Sequence, residues 1–178
     1  MRKWFGSISL LLLLLIPVSA SLAAETRDPY KHFFHETWDD YQEELKNARE
    51  QGKKGILIFF EMDECPFCHY MKENVLNRPE VQEYYREHFL NFPVDIEGDI
   101  QITNLQGEQK KQKDFAFREN RVRATPVFAF YNLEGERIHR HTGKTSGVEE
   151  FMWMGEYVAN GIYKDMSFTR YKREKRKE

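Results

Sequence analysis

Ile56 to Phe60 is a continuous apolar run of β-branched and aromatic residues, which predicts a strand buried on both faces. Upstream, Trp38, Tyr41, Leu45 and Ala48 recur at three-to-four spacing. This predicts a helix to about Glu50, capped by Thr37, with Asp39 and Asp40 in its first turn. Gln51 to Gly55 ends it. Downstream, a helix is expected from Pro66 to about Val75, broken by Asn77-Arg78-Pro79, and another from Glu80 to Glu87. Leu90, Phe92, Val94 and Ile96 alternate as in a second strand, with Pro93 marking an edge or an irregularity. Residues 98–113 carry no clear period, although Asn104 to Gly107 suits the turn of a small hairpin. Phe115 to Asn120 reads as helical, with Asn120 in the left-handed end position. Val127 to Tyr131 is a third buried strand and Arg137 to Thr142 its partner across the turn Asn132 to Gly135. Gly147 to Asn160 is a last amphipathic helix, stopped by Gly161. This alternation, ending in an antiparallel pair, predicts an α/β fold with a central mixed sheet and helices on both faces.

The first 24 residues stand apart from this pattern. Met1-Arg2-Lys3 precedes an apolar run from Ile8 to Val18, interrupted by Ser9 and Pro17, and then Ser19 to Ala24, all small residues apart from Leu22. That is the layout of a cleaved secretory signal peptide, with cleavage after Ala23 or Ala24. The run is well short of the ~20 apolar residues that span a bilayer. Residues 25–35 read as an irregular lead-in, 36–163 as one domain, and 164–178 as a basic C-terminal tail or frayed helix. The formal net charge is −2, and Arg2 and Lys3 leave with the leader, so the mature chain is mildly acidic. Nothing in that balance points to a nucleic-acid partner.

Against this background the chain has two cysteines, and they are three apart: Cys65-Pro66-Phe67-Cys68. An exported domain that needed staples would carry several pairs. A loop this short contributes only about 2 kcal/mol by chain entropy, so a purely structural bridge is a poor account of it. Where the first buried strand hands over to a helix, Cys65 would sit at the helix N-terminus, which stabilises a thiolate. Cys68 would lie one turn on, on the same face, placed to resolve a mixed disulfide. Pro66 fixes the turn and Phe67 offers an apolar contact. His69 follows directly, so the same letters also spell c-type haem attachment, with Met152 or Met154 as a second axial ligand. Zinc is the weaker alternative, because Cys68 and His69 are adjacent and converge poorly.

Ile58-Phe59-Phe60-Glu61 followed by Cys65-Pro66-Phe67-Cys68 resembles the active-site segment of the thioredoxin fold. Val122-Arg123-Ala124-Thr125-Pro126-Val127 resembles that fold's second signature. The resemblance covers roughly residues 36–163 and extends to the strand-turn-strand that follows. Asn77-Arg78-Pro79-Glu80 and the run Asp95 to Asp99 are similar to exported thioredoxin-like proteins, including the SoxW type linked to sulfur oxidation. The resemblance implies a thioredoxin-like fold and a periplasmic thiol–disulfide oxidoreductase acting as a monomer without a bound cofactor. It implies Cys65 as nucleophile, Cys68 as resolving thiol, and a redox disulfide between them. Pro126 would be a cis-proline presenting Thr125 to a bound peptide, with Pro66 and Phe67 also touching it. Its partners would be disulfide-bearing exported proteins and a membrane electron donor of the DsbD/CcdA kind.

Two positions depart from the family. Phe59 stands where many members have a buried aspartate six residues before the first cysteine, and Glu64 stands where tryptophan is usual. Glu61, Asp63 and Glu64 surround Cys65 with potential negative charge, which raises a thiol pKa. That favours a reductase over a DsbA-like oxidant or an isomerase partner. The remaining candidates read as ordinary: His139 and His141 on a solvated strand face, His32 and His35 in the lead-in, and Phe151, Met154 and Val158 as core packing.

Overall fold

A computed structural model describes residues 25–177; the signal-peptide reading of residues 1–24 lies outside them. In chain order the elements are α1 (Pro29–His32), α2 (Tyr41–Glu50), β1 (Gly55–Glu61), α3 (Pro66–Asn74), α4 (Pro79–His88), β2 (Phe89–Asp95), β3 (Gln101–Thr103) and β4 (Gln109–Lys111). Then follow α5 (Gln112–Asp114), a π-helical turn (Phe115–Glu119), β5 (Val127–Tyr131), β6 (Arg137–Thr142), α6 (Val148–Ala159), a 3-10 turn (Ile162–Lys164) and α7 (Phe168–Lys175). Four strands form one sheet in the order β2-β1-β5-β6; β3 and β4 form a separate hairpin.

β1 is the centre of this arrangement, and every residue in it is buried. It runs parallel to β2 and antiparallel to β5, with Phe60 opposite both Val94 and Val127. Alternation along β1 divides the core in two. Leu57 and Phe59 pack with Phe128, Phe130, Tyr85 and Phe151 beneath α3, α4 and α6. Ile56, Ile58 and Phe60 pack with Tyr41, Leu45, Phe92 and Phe115 beneath α2 and the π-helical turn. Helices therefore cover both faces, as the alternation of elements predicts. Pro93 lies in the outer strand β2, the position where a strand tolerates proline.

Four boundaries differ from the sequence reading. α2 begins at Tyr41 with Asp40 as its cap, accepting from the Glu43 N–H at 3.0 Å, and Trp38 lies outside it, 98 % exposed. Asp39 takes a positive φ of 60°, which separates Thr37 and Trp38 from the helix. At the π-helical turn the left-handed residue is Arg121 (φ 53°), one beyond Asn120. Asn120 is held in place instead, donating to the Phe115 carbonyl and accepting from the Tyr131 hydroxyl. The lead-in is not irregular throughout: α1 delivers Phe33 and Phe34, both buried, into the main core. The basic tail is not frayed either. α7 buries Phe168 against the core, and Lys172 pairs with the buried Glu150 of α6 at 2.5 Å.

Candidate active site

Cys65 and Cys68 are joined in a disulfide, with their Cα atoms 5.2 Å apart. Cys65 is the N-cap of α3. Its Sγ accepts the Cys68 backbone N–H at 3.0 Å, and its carbonyl accepts from His69 N at 3.1 Å. Pro66 occupies the first helical turn, where its missing N–H costs nothing. When the bond opens, the same amide faces a thiolate, which a helix N-terminus stabilises. Cys65 retains 5 % of its surface and Cys68 none, so an incoming disulfide meets Cys65 first. Phe67 stands 53 % exposed beside it.

The Thr125–Pro126 peptide is cis. Because Phe60 pairs with Val127, the chain leaving β1 toward Cys65 and the chain entering β5 from Pro126 occupy one end of the sheet. The Pro126 carbonyl is taken by Gly143 N at 2.8 Å. The N–H and C=O of Thr125 carry no hydrogen bond among the described residues, so that backbone is open to an extended peptide.

The acids around Cys65 are not equivalent, which corrects the sequence reading. Asp63 and Glu64 are exposed as expected. Glu61 is buried. It pairs with Lys72 at 2.7 Å and accepts from the Tyr30 hydroxyl at 3.0 Å, and Lys72 also donates to that hydroxyl at 3.0 Å. Burial alone would lower the Lys72 pKa, but its hydrogen bonds to Glu61 and Tyr30 outweigh this and hold the ammonium above its ordinary value. Glu61 is therefore a compensated charge rather than a field on the thiol. Phe59, on the same face of β1 two residues earlier, sits in an aromatic cluster with Phe128 (4.9 Å) and Phe34 (5.7 Å).

Tyr30 and Lys72 escaped the sequence reading. The available signal was Lys72 at four residues from Cys68, hence on the same face of α3. The residues of the haem alternative are engaged elsewhere. Cys65 and Cys68 bond each other, His69 donates from Nε2 to the Asp63 carbonyl at 2.8 Å, and Met154 is buried in the core, with Met152 packed against it. His139 and His141 do not face solvent; their Nε2 atoms are buried without a hydrogen-bond partner among the described residues. No group of three metal-ligating side chains occurs among those residues.

A family profile described as a thioredoxin-like domain matches residues 41–159. The disulfide bond reductase DsbH of Chlamydia pneumoniae is 26 % identical over 104 residues, which are 58 % of this chain and 60 % of that protein. The match thus spans less than two thirds of that relative. Among solved structures, a thioredoxin-fold protein from Helicobacter pylori superposes with a TM-score of 0.59 at 20 % identity, over 71 % of this chain and 86 % of that one. A DsbH oxidoreductase superposes at 0.55 and 20 % identity, over 73 % and 88 %. A thioredoxin from Thermus thermophilus does so at 0.53 and 25 % identity, over 71 % and 87 %.

Proposed function

Because the chain belongs to the thioredoxin-like domain family, we propose that it is an exported thiol–disulfide oxidoreductase that reduces protein disulfides. The observation that carries this reading is the Cys65–Cys68 pair at the cap of α3, at the same end of the sheet as the open Thr125 backbone. The Cys65 thiolate attacks a client disulfide, forming a mixed disulfide and releasing one client thiolate. Cys68 then loses its proton and attacks the Cys65 sulfur, closing the internal bond and releasing the second client thiolate. Two electrons pass from the cysteine pair to the client. A membrane donor of the DsbD/CcdA kind would return them, with the protein in the periplasm. Pro66 and Phe67 would line the approach, and Thr125 would pair with the client backbone.

Two features support the reducing direction: exposed Asp63 and Glu64 beside Cys65, and the reductase named among the relatives. The cap amide and the neutralised Glu61 favour the opposite, DsbA-like direction. Two experiments test the reading, the first for catalysis and the second for direction. The wild type, and not Cys65→Ala, should accelerate dithiothreitol-driven insulin reduction; equal rates would overturn the enzymatic reading. Glutathione titration of the pair should place its potential nearer thioredoxin's (about −270 mV) than DsbA's (about −120 mV). A value near the latter would make the protein an oxidant.

A further inference from the structure

The loop that enters the cis-proline carries two arginines, and neither is paired with a carboxylate among the described residues. Between the π-helical turn and Pro126, Val122 is buried and its N–H bonds the Ala116 carbonyl at 2.9 Å. That anchor leaves its neighbours Arg121 and Arg123 exposed on either side. Arg121 holds a positive φ of 53°, a conformation a long L-residue adopts at some cost. Arg123 is fixed over the ring of Phe117, 3.4 Å from its centre, and donates to the Phe117 carbonyl at 3.0 Å. Phe117 is itself 52 % exposed, so the stacked pair forms a shelf open to solvent.

A third cation stands at the same end of the sheet. β6 ends beside the start of β5, with Thr142 opposite Val127, so the loop after β6 returns to the cis-proline. Lys144 in that loop lies over the Tyr70 ring of α3 at 4.4 Å. Arg118, by contrast, is paired with Asp114 at 3.1 Å. Among the described residues, Arg121, Arg123 and Lys144 have no carboxylate partner. The exposed charges immediately before Cys65, Asp63 and Glu64, have the opposite sign. The loop entering the cis-proline is thus basic and the residues just before Cys65 are acidic, while Glu97 and Asp114 line the groove on the far side of Phe117.

We propose that Arg121 and Arg123, supported by Lys144, form a specificity rim that selects polypeptide disulfides whose reacting cysteine is flanked by acidic residues. This rests on the reductase reading above. The mechanism is charge complementarity along a client strand lying on Thr125. Because Arg123 is already held by stacking on Phe117, little of its side-chain entropy is lost on docking. All three charges are exposed, so their effect falls on encounter rate and is screened by salt.

The test uses the full mature protein, pre-reduced, in single-turnover mixing with two fluorogenic peptide disulfides. These are identical except for two Asp or two Lys beside the cysteine. At about 20 mM salt the Asp peptide should react roughly five-fold faster, and the ratio should approach one near 0.5 M. In Arg121→Glu/Arg123→Glu the ratio should invert; Arg121→Gln/Arg123→Gln, which should reduce it to near one, serves if the charge reversal does not fold. A ratio of one in the wild type at low salt, with both peptides reduced, would overturn the rim and leave the reductase reading standing. So would an unchanged ratio in a folded double variant. Reduction of neither peptide would remove the reductase reading, and the rim with it.

Discussion

Glu61 shows how far one residue's surroundings govern the electrostatics of the cysteine pair. Its carboxylate lies two residues past Phe59 on the same side of β1, and Lys72 comes from α3 to meet it. Removing one partner of such a pair leaves a buried charge uncompensated, and that costs more than the intact pair contributes. We expect Lys72→Met to lower stability by about 2 kcal/mol in urea unfolding, after allowing for partial solvent access. Glu61→Met/Lys72→Met should recover most of the loss. A double variant no better than the single one would mean that Lys72 acts through packing alone. At this scale the sequence was legible where chemistry is local. Cys65, Pro66 and Cys68 declare themselves by spacing and Pro126 by resemblance alone, and Cys65 and Pro66 do take the predicted cap and first-turn positions. What it concealed was a pairing across 42 residues, since nothing in the letters says that Tyr30 and Lys72 will meet Glu61.

Elements were legible in proportion to the strength of their period. β1, β5 and α6 emerged close to their observed limits because apolar runs and helical stripes survive whatever packs on them. α2 started later than read because Trp38 fits the helical spacing, while a positive φ at Asp39 takes it out of the helix; periodicity carries no information on that dihedral. The contact between α4 and α6 was equally invisible. Tyr85 stacks on Phe151 with ring centres 4.4 Å apart and donates to its carbonyl at 2.7 Å. The space this needs is provided by Gly155, where an added Cβ would come within 2.9 Å of Tyr84 and 3.0 Å of Tyr85. In an open helix, replacing glycine by alanine gains about 1 kcal/mol. Here two aromatic rings decide the sign. We expect Gly155→Ala to gain nothing and Gly155→Val to cost roughly 2–3 kcal/mol by chemical denaturation. Stabilisation in either variant would show that α4 and α6 can part freely.

At the scale of the whole molecule, α7 turns a strand face into an interior. Read as solvated, β6 instead places His139 and His141 under Phe168, with ring centres 5.4 and 6.2 Å away, while Tyr157 of α6 closes on His139 at 5.1 Å. Burial lowers the His139 pKa to about 4, with His141 adding to it. Burial lowers that of His141 as well, with nearby Glu150 opposing and Lys172 reinforcing the shift. His35, which accepts from Asn91 N at 2.9 Å on the outer edge of β2, is held to about 4 by burial and by Arg86. All three have folded-state pKa values below the unfolded value of 6.5, so between these limits the unfolded chain binds more protons. Stability is therefore fullest above pH 6.5 and declines as pH falls toward 4. Glu150, whose burial is outweighed by its bonds to Lys172 and Ser146, sits at about 2, so its contribution is lost only between about pH 4.5 and 2. After discounting for partial exposure, we expect the wild type to lose roughly 3 kcal/mol between pH 7 and 4.5 in urea unfolding. His139→Phe/His141→Phe keeps an aromatic surface under Phe168 and removes two of the three titrations, so about half of that loss should vanish. An unchanged pH slope in a folded variant would mean that α7 does not shield these imidazoles in solution.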